Sequence, residues 1–503
     1  MIQESIHLQQ HNKLISKLFE DIFSFRTEIY FKIEHFPEEF YEENLSSEKR
    51  DNDIISFSIL SKDLLSYDQA VFQYLEEHGR QAPFVIPFRQ LPPEFADYVS
   101  LDADLEYHPY FIEFQVNAAC LSKYQKLLSL MDGMWHGGYL LPDSSNVNPD
   151  LQMLKEDLSI LGIYDYPIPG ILMTSASPVR FRRSSLMITD HLLSEEEQTI
   201  IANLYQTEDS VREDSDLEPF LSELFTDVSD FKIESFNVGD GNCIYITSTG
   251  KSKKKFYFDI GYRYICNLTT KEGEVISHYP YAEYHMNVRK PDMVILSHWD
   301  LDHILGVVYA GEQIFMIPWI APDLNNDAHP AKISAKRLAK YLELRGQLNL
   351  IPLTTKKFTK KGRQLFKNEK VTIGMAKGGG MLSKINNTGI VIRIEGEEGY
   401  TLLAGDAEYS TWPSCISTIK APPKCNYLLV PHHASNMKYN GFPVTDSLQG
   451  RAIICASGDN KKHPLFAHLL ELTKKGYLYE ITGLCSNSII ITTINKAKQI
   501  KAT

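Results

Sequence analysis

Residues 294–308 read VILSHWDLDHILGVV. An apolar, strand-like run leads straight into His298, Asp300, Asp302 and His303, two imidazoles and two carboxylates within six positions, and a second apolar run follows. Imidazole and carboxylate are the usual ligands of catalytic zinc, manganese or iron. Side chains alternate along an extended chain, so positions 298 and 300 point the same way. A turn after Asp300 can aim Asp302 and His303 at a neighbouring point, and the four residues then serve two adjacent metals. The competing reading is a polar loop in which Asp302 caps a helix over HILGVV.

Outward from this loop the C-terminal part alternates short strand-like runs with loops and helix-like segments. The runs are CIYITS, KFYFDIG, MVILSH, GIVIRIEG, YTLLAGD, NYLLVPHH, AIICAS and SIIITT, and the helix-like segments cover 330–345 and 465–475. Asp259, His298, Asp406 and His432 close four of the runs. Metal-type residues at strand ends are the pattern of an α/β sandwich with its site at those ends. A carboxylate such as Asp406, placed between two metals, can bridge them, and a histidine can complete the second.

The rest of the chain sets bounds. Its 503 residues imply two or three domains. A hydrophobic content of 43% with 11% aromatics is enough for packed cores. No apolar run approaches the roughly 18–20 residues that cross a bilayer. The N-terminus, MIQESIHLQQHNKL, lacks a charged-then-apolar signal pattern, and the seven scattered cysteines form no CxxC pair. A cytoplasmic protein with reduced thiols is therefore expected. Net charge is −13, unevenly spread: residues 1–228 carry 16 Lys+Arg against 40 Asp+Glu, and residues 229–503 carry 35 against 24. Two modules with different electrostatic roles follow, 1–228 and 229–503, joined near the polar stretch 207–228. The first module reads as mixed α and β, with helical spacing over 1–30, 119–135 and 191–206. It carries no chemical motif, so an interaction module is the expectation.

Taken in order, the C-terminal motifs resemble the metallo-β-lactamase fold, whose core is H-x-H-x-D-H followed by a separate histidine, a bridging aspartate and a final histidine. More closely, they resemble the hydrolase domain of competence-type DNA-uptake proteins (ComEC), which carry S-H-x-D-x-D-H. FNVGDGNCIYI is similar to the opening strand of that domain, FYFDIG to its strand-end Asp-x-Gly, SHWDLDHILG to the metal loop, and NNTGIVIRI with YTLLAGDAE to the hairpin before the bridging aspartate. LLVPHHAS is similar to the family's H-H-G-S, and SGDNKKHPLFAHLLELTKKG to its late N-x-x-x-H-P helix entry. The likeness covers about 231–494. It implies an αββα sandwich for 229–503; residues 1–228 lie outside it and read from their own pattern as an α+β or helical domain.

The resemblance further implies that His298, Asp300 and Asp406 hold one metal, and that Asp302, His303, Asp406 and His432 hold the other. Asp259 would orient the metal loop from behind. Asn386 or Asn387 stands where zinc hydrolases put their separate histidine, so an oxygen-rich first site favouring Mn²⁺ over Zn²⁺ is expected. Asn237, Asn242, Leu305 and Ala434 also depart from the family pattern, and the family's membrane channel is missing. Two metals about 3.5–4 Å apart lower the pKa of a shared water and neutralise developing charge. Asp302, His433 and His463 are the candidate catalytic residues; either histidine can protonate a leaving group or clamp a phosphate. For His463 the alternative is a histidine that merely starts a helix before Pro464.

The basic runs KSKKK (251–255) and KKFTKKGRQLFKNEK (356–370) are solvated turns by default. If they rim the site, they steer a polyanion. The expected function is a cytoplasmic phosphodiesterase or nuclease acting on nucleic acid or a nucleotide. A small-molecule ester or phosphoester hydrolase is the second reading. The third is a sensing module regulated by a partner through residues 1–228, as in a multi-protein defence system.

Overall fold

The computed structural model describes residues 27–33, 54–79, 85–86, 105–106, 110–117, 134–142, 168–175, 179–207, 210–212, 214–263, 279–324, 331–353, 362–378, 386–396, 399–417, 424–445, 450–458 and 463–493. The chain divides into two compact units. Unit one is Met1–Gln206 with Cys266–Ile276 and Lys332–Arg345; unit two is Thr207–Ile265 with Ser277–Ala331 and Gly346–Thr503. Among the described residues no helix is long and apolar enough to cross a membrane.

Unit one contains β1 (Thr27–Ile33), β2 (Ile54–Ser61), β3 (Val85–Ile86), β4 (Leu105–Glu106), β5 (Phe111–Asn117), β6 (Trp135–Pro142), β7 (Ile168–Ser175) and β8 (Val179–Leu192). Six of these close into an antiparallel barrel in the order β1-β2-β5-β7-β8-β6, while β3 pairs with β4. Period-two alternation selects the inward face: Ile29, Phe31 and Ile33 are buried, whereas Tyr30 and Lys32 are partly exposed. The Phe31 ring lies 6.2 Å from Phe57 and 5.8 Å from His136, and Phe57 lies 6.2 Å from Phe114. Closure leaves the barrel no free edge strand.

Two helices of this unit share a buried ionic cluster. Ser61 caps the helix Lys62–His78 by accepting the Leu64 N–H. Inside that helix the buried Asp68 carboxylate accepts from Arg337 Nε at 2.5 Å and Nη2 at 2.7 Å, and from the Tyr205 hydroxyl at 2.7 Å. Arg337 belongs to the helix Ile333–Leu344, and its Nη1 also donates to the Tyr110 carbonyl. A two-pronged guanidinium–carboxylate pair of this kind is among the stronger polar contacts a fold can make.

The expected helix over 1–30 is a strand where it is described. TEIYFKI, rich in β-branched and aromatic residues, forms β1, and 1–26 lie outside the described residues. The expected helix over 119–135 likewise falls outside them up to 133, and Trp135 opens β6. The expected helix at 191–206 is Glu195–Leu204, started by a full capping box in which Ser194 and Glu197 exchange hydrogen bonds.

Unit two is a sandwich of two seven-stranded sheets. Its strands are β9 (Val228–Phe236), β10 (Cys243–Gly250), β11 (Lys255–Ile260), β12 (Met293–Ile295), β13 (Trp319–Pro322), β14 (Leu348–Ile351), β15 (Arg363–Lys367), β16 (Val371–Met375), β17 (Ile390–Glu395), β18 (Tyr400–Leu403), β19 (Cys425–Leu429), β20 (Gly450–Ile454), β21 (Tyr477–Ile481) and β22 (Ser488–Thr492). One sheet runs β14-β13-β12-β11-β10-β9-β22 and the other β15-β16-β17-β18-β19-β20-β21.

Alternation divides the faces. Ile244, Ile246, Phe256 and Phe258 of the first sheet pack against Ile373, Ile392, Leu429 and Ile453 of the second in one core. The neighbouring Leu428, Ala452 and Ile454 face outward, where Leu472 of the helix Phe466–Lys474 covers them. On the other side, Tyr281 and Arg289, from the helix Pro280–Val288 and the residue after it, bond Glu234. The result is helix, sheet, sheet, helix. The stretch 207–228 is not merely a polar junction: it contains the helix Asp214–Phe225, whose Leu217, Leu221, Leu224 and Phe225 recur at helical spacing and enter the same core.

β11, β12 and β13 run parallel, as do β18, β19, β20 and β21. Their C-terminal ends gather at one edge of the sandwich, the usual place for a site in such sheets.

Candidate metal centre

The loop after β12 is held from behind. Asp259, at the end of β11, has a left-handed backbone (φ 60°) and is fully buried. Its carboxylate accepts the Ser297 N–H at 2.6 Å, the Ser297 hydroxyl at 2.8 Å and the His303 Nδ1–H at 2.8 Å. Having given its proton to Asp259, the Ser297 oxygen accepts from His298 Nδ1 at 3.0 Å. In both rings this network places a proton on Nδ1 and leaves Nε2 as the nitrogen that faces the site. Two glycines let the loop come close. A Cβ at Gly261 would fall 1.8 Å from the Asp302 carbonyl oxygen, and one at Gly241 would fall 2.9 Å from it.

Asp300, not Asp302, stands at the cap position of the short helix Leu301–Ile304, and its side chain makes no capping bond there. Asp302 instead meets His433, with Oδ2 2.9 Å from Nε2. The second strand-end loop supplies Asp406, 2% exposed, whose two oxygens face different neighbours. Oδ1 lies 3.2 Å from His303 Nε2, whereas Oδ2 lies 3.9 Å from His298 Nε2 and 3.6 Å from His432 Nε2. His298 Nε2 is also 3.3 Å from Asp300 Oδ2.

The third loop explains how adjacent histidines reach different places. His432, His433 and Ala434 all have left-handed backbones (φ 47°, 53° and 61°). This tight coil turns the two imidazoles to opposite sides of Asp406: His432 towards the His298 side, His433 towards Asp302. His433 Nδ1 donates to the Cys455 carbonyl just after β20, so Nε2 is the nitrogen turned towards Asp302.

The site therefore has two halves that share Asp406. One gathers His298, Asp300, His432 and Asp406 Oδ2. In the other, Asp302, His303, Asp406 and His433 each offer an atom within 4.8 Å of the rest. His298 Nε2, His303 Nε2 and Asp406 Oδ1 are buried and have no hydrogen-bond partner. Without an ion these nitrogens either hold a proton against the carboxylate oxygens or face them acceptor against acceptor inside the protein. Each unsatisfied buried group costs about 1–3 kcal/mol, and a divalent cation between them removes that cost. The residues fit such ions, and mixed nitrogen and oxygen donors suit zinc or manganese alike.

Proton affinities report the same demand. Burial opposes charge on His303, yet Asp406, Asp259 and Asp302 outweigh it and raise the imidazole well above its ordinary range. Burial likewise disfavours a charged His433, but Asp406 and Asp302 push it up to about 9. Asp302 and Asp406 are held well below the usual carboxylate range, because the neighbouring imidazoles overcome the penalty of burial. His432 goes the other way, lowered by burial.

All the carboxylates and histidines singled out in the sequence converge here, but their grouping differs from the one the resemblance implied. His432 joins His298 and Asp300 instead of Asp302 and His303, and His433 faces Asp302 directly. The imidazole of His432, at Asp406 Oδ2, thus lies on the side of the half that the resemblance left oxygen-rich, and His433 takes its place beside Asp302. Asn387 points elsewhere: it bonds Glu408 through Nδ2 at 3.1 Å and accepts the Glu408 N–H at 3.0 Å, bracing the loop after Asp406. The His463 ring packs 5.7 Å from His432 and 6.0 Å from His433, and its Nδ1 has no hydrogen-bond partner. Burial and those two imidazoles lower it to about 3.

Ser297, Asp240, Glu408 and His468 carry structural duties that the sequence did not announce. Asp240 accepts the Ser457 N–H and hydroxyl at 2.8 and 2.7 Å, fixing the segment after Cys455. All four lie inside quoted motifs, so their position was a signal even though their residue type was not.

Among the described residues, the lysines of these runs lie away from this edge. Lys251 to Lys255 form the turn between β10 and β11, at the opposite end of β11 from Asp259, roughly 13 Å away at ~3.3 Å per residue. Lys367 and Lys370 lie at the turn between β15 and β16, whose far end is Met375 beside Ile390, and the Ile390 N–H bonds the Ser297 carbonyl of the metal loop. Residues 354–361 lie outside the described ones.

Among solved structures the chain is similar to Tm1679, described as a metal-dependent hydrolase of the β-lactamase superfamily, with a TM-score of 0.30 and 7% identity over 52% of this chain and 98% of that one. Neither a protein-family model nor a curated protein matches the chain.

Proposed function

We propose that unit two is a two-ion, metal-dependent hydrolase of phosphodiesters in a nucleic acid or nucleotide. One observation carries this: Asp406 turns its two oxygens towards two sets of imidazole nitrogens and carboxylates. His298, Asp300, His432 and Asp406 Oδ2 would hold one divalent cation; Asp302, His303, His433 and Asp406 Oδ1 would hold the other. When bound, such ions polarise the phosphoryl oxygens, lower the pKa of the attacking water and offset the developing charge. Zn²⁺ and Mn²⁺ both suit two nitrogens and two carboxylates per half.

The chain's own residues prepare this chemistry. Asp259 and Ser297 hold the Nδ1 protons of His298 and His303, so Nε2 is the nitrogen each ring turns towards an ion. The Cys455 carbonyl does the same for His433. Asn387 and Glu408 keep the Asp406 loop from relaxing. His463 lies beside both halves without belonging to either. Neutral near pH 7, it serves as a hydrogen-bond donor to a substrate oxyanion and not as a proton donor, and cations beside it strengthen that preference. Unit one, acidic and without catalytic motifs, acts as a module that engages a protein partner.

A small (phospho)ester substrate is the second reading. It is favoured by the placement of the described lysine-rich turns at the end of the sandwich away from the site. Full-length protein loaded with Mn²⁺ or Zn²⁺ should be assayed on bis(p-nitrophenyl) phosphate, single- and double-stranded DNA, RNA and p-nitrophenyl phosphocholine, with Asp406→Asn as control. Turnover of the diester and of one polymer, abolished by EDTA and by Asp406→Asn, is expected. Turnover of the phosphocholine ester alone selects the second reading, and no metal-dependent turnover of any substrate refutes both.

A further inference from the structure

His468 lies on the helix Phe466–Lys474, is fully buried, and is not one of the candidate ligands. Both of its nitrogens are engaged. Nδ1 is 3.0 Å from the Ser435 carbonyl, which can only accept, so Nδ1 carries the proton. Nε2, 2.8 Å from the Tyr409 hydroxyl, therefore accepts the tyrosine proton. Tyr409 follows Asp406 by three residues, and Ser435 follows His433 by two. One ring thus ties the loop of the bridging carboxylate to the loop of the paired histidines.

The surroundings fit a fixed strut. The rings of Tyr409, Tyr439 and Phe442 pack against His468 at 5.7, 5.1 and 6.3 Å. Just before the helix, the Leu465 N–H bonds the Ala434 carbonyl at 2.9 Å, so the helix start grips the left-handed coil itself. An aromatic or aliphatic residue at 468 would fill the same space, yet would leave the Ser435 carbonyl and the Tyr409 hydroxyl unsatisfied inside the core.

We propose that His468 is a positioning residue of the metal centre: it sets the distance between Asp406 and the His432–His433 pair, and so the affinity with which the two halves hold their ions. The proposal rests on the two-ion reading of the site. Residues that orient ligands in this indirect way typically contribute ~10–100-fold to metal affinity.

The test is calorimetric titration of EDTA-treated full-length protein with Mn²⁺, alongside thermal unfolding. His468→Ala should weaken Mn²⁺ binding at least roughly 10-fold. Leu472→Ala, one turn along the same buried face, removes packing but no polar contact; it should lower the melting temperature and leave Mn²⁺ affinity within about two-fold of wild type. His468→Asn, whose amide can still donate to Ser435, should recover part of the loss. Tyr409→Phe, which breaks the other half of the strut, should weaken binding by itself and add little on top of His468→Ala.

If His468→Ala fails to fold, His468→Asn and Tyr409→Phe carry the test alone. Unchanged affinity in the His468 and Tyr409 variants overturns the proposal. So does a loss in Leu472→Ala matching that in His468→Ala, which would mark His468 as packing only. Wild-type protein that binds no Mn²⁺ refutes the two-ion reading beneath it, a result separate from either of these.

Discussion

Asp259→Asn is nearly isosteric, yet it should invert the tautomer of His303. The carboxylate accepts three hydrogen bonds, from the Ser297 N–H, the Ser297 hydroxyl and His303 Nδ1. An amide keeps one acceptor oxygen for the Ser297 N–H and turns its NH₂ towards the other two groups. To meet that NH₂, His303 must move its proton from Nδ1 to Nε2, the atom that faces Asp406 Oδ1 at 3.2 Å. The lone pair intended for the ion is lost. Losing bonds to a charged acceptor costs about 1.5–3 kcal/mol of fold stability, and an inverted orienting partner lowers metal affinity ~10–100-fold.

The second effect can be read thermodynamically. At a free metal concentration a hundred times the wild-type Kd, binding adds about 2.7 kcal/mol to stability; with Kd weakened ten-fold it adds about 1.4, and hundred-fold about 0.4. Urea unfolding with and without Mn²⁺ measures both contributions on the same protein. The metal-induced increment should shrink by at least about half in Asp259→Asn. An increment equal to that of wild type would refute the tautomer reasoning, whatever happens to the stability without metal.

Other expectations follow from single contacts. Gly261→Ala should displace the metal loop, because the added Cβ would meet the Asp302 carbonyl at 1.8 Å; a drop in melting temperature together with lost Mn²⁺ binding checks this. In unit one, Asp68→Asn should destabilise by about 3–5 kcal/mol by leaving the Arg337 charge buried without its counterion, and Asp68→Leu with Arg337→Met should restore much of that loss in urea titrations. The raised pKa of His433 stabilises the EDTA-treated protein fully below about pH 6.5, and the contribution fades as pH rises towards 9. Mn²⁺ takes the place of that proton, so unfolding measured at pH 6 and pH 9 should show a larger metal-induced gain at the higher pH.

Legibility differed between the two units for a physical reason. In unit two, β-branched and aromatic runs stop at a charged residue, so β11, β12, β18 and β19 and their terminal Asp259, His298, Asp406 and His432 could be read directly. What decides the division of labour between His432 and His433 is three consecutive left-handed residues, and a non-glycine sequence gives no local cue for that conformation. Asn387 stands where an imidazole was expected, and only three-dimensional placement shows it bracing Glu408. The unit one barrel escaped because long strands such as VRFRRSSLMITDHL mix polar and apolar residues without clean alternation. The helix Asp214–Phe225 escaped because its apolar stripe begins only at Leu217, inside an acidic stretch.

Unit one is not a contiguous piece of chain. Lys332–Arg345 lies between β13 and β14 of unit two in sequence, yet belongs to unit one, where Arg337 meets Asp68. Cutting the protein at residue 206 or 228 therefore does not liberate unit two as it stands in the intact protein. It strands a helix whose Ile333, Leu338, Tyr341 and Leu342 are buried in the intact protein, together with a guanidinium deprived of its carboxylate. A truncated protein that aggregates or loses activity would report that orphaned helix and say nothing of regulation. The two units are interlocked by covalent order, so unit two is not a cassette that can be moved by a single cut in the chain.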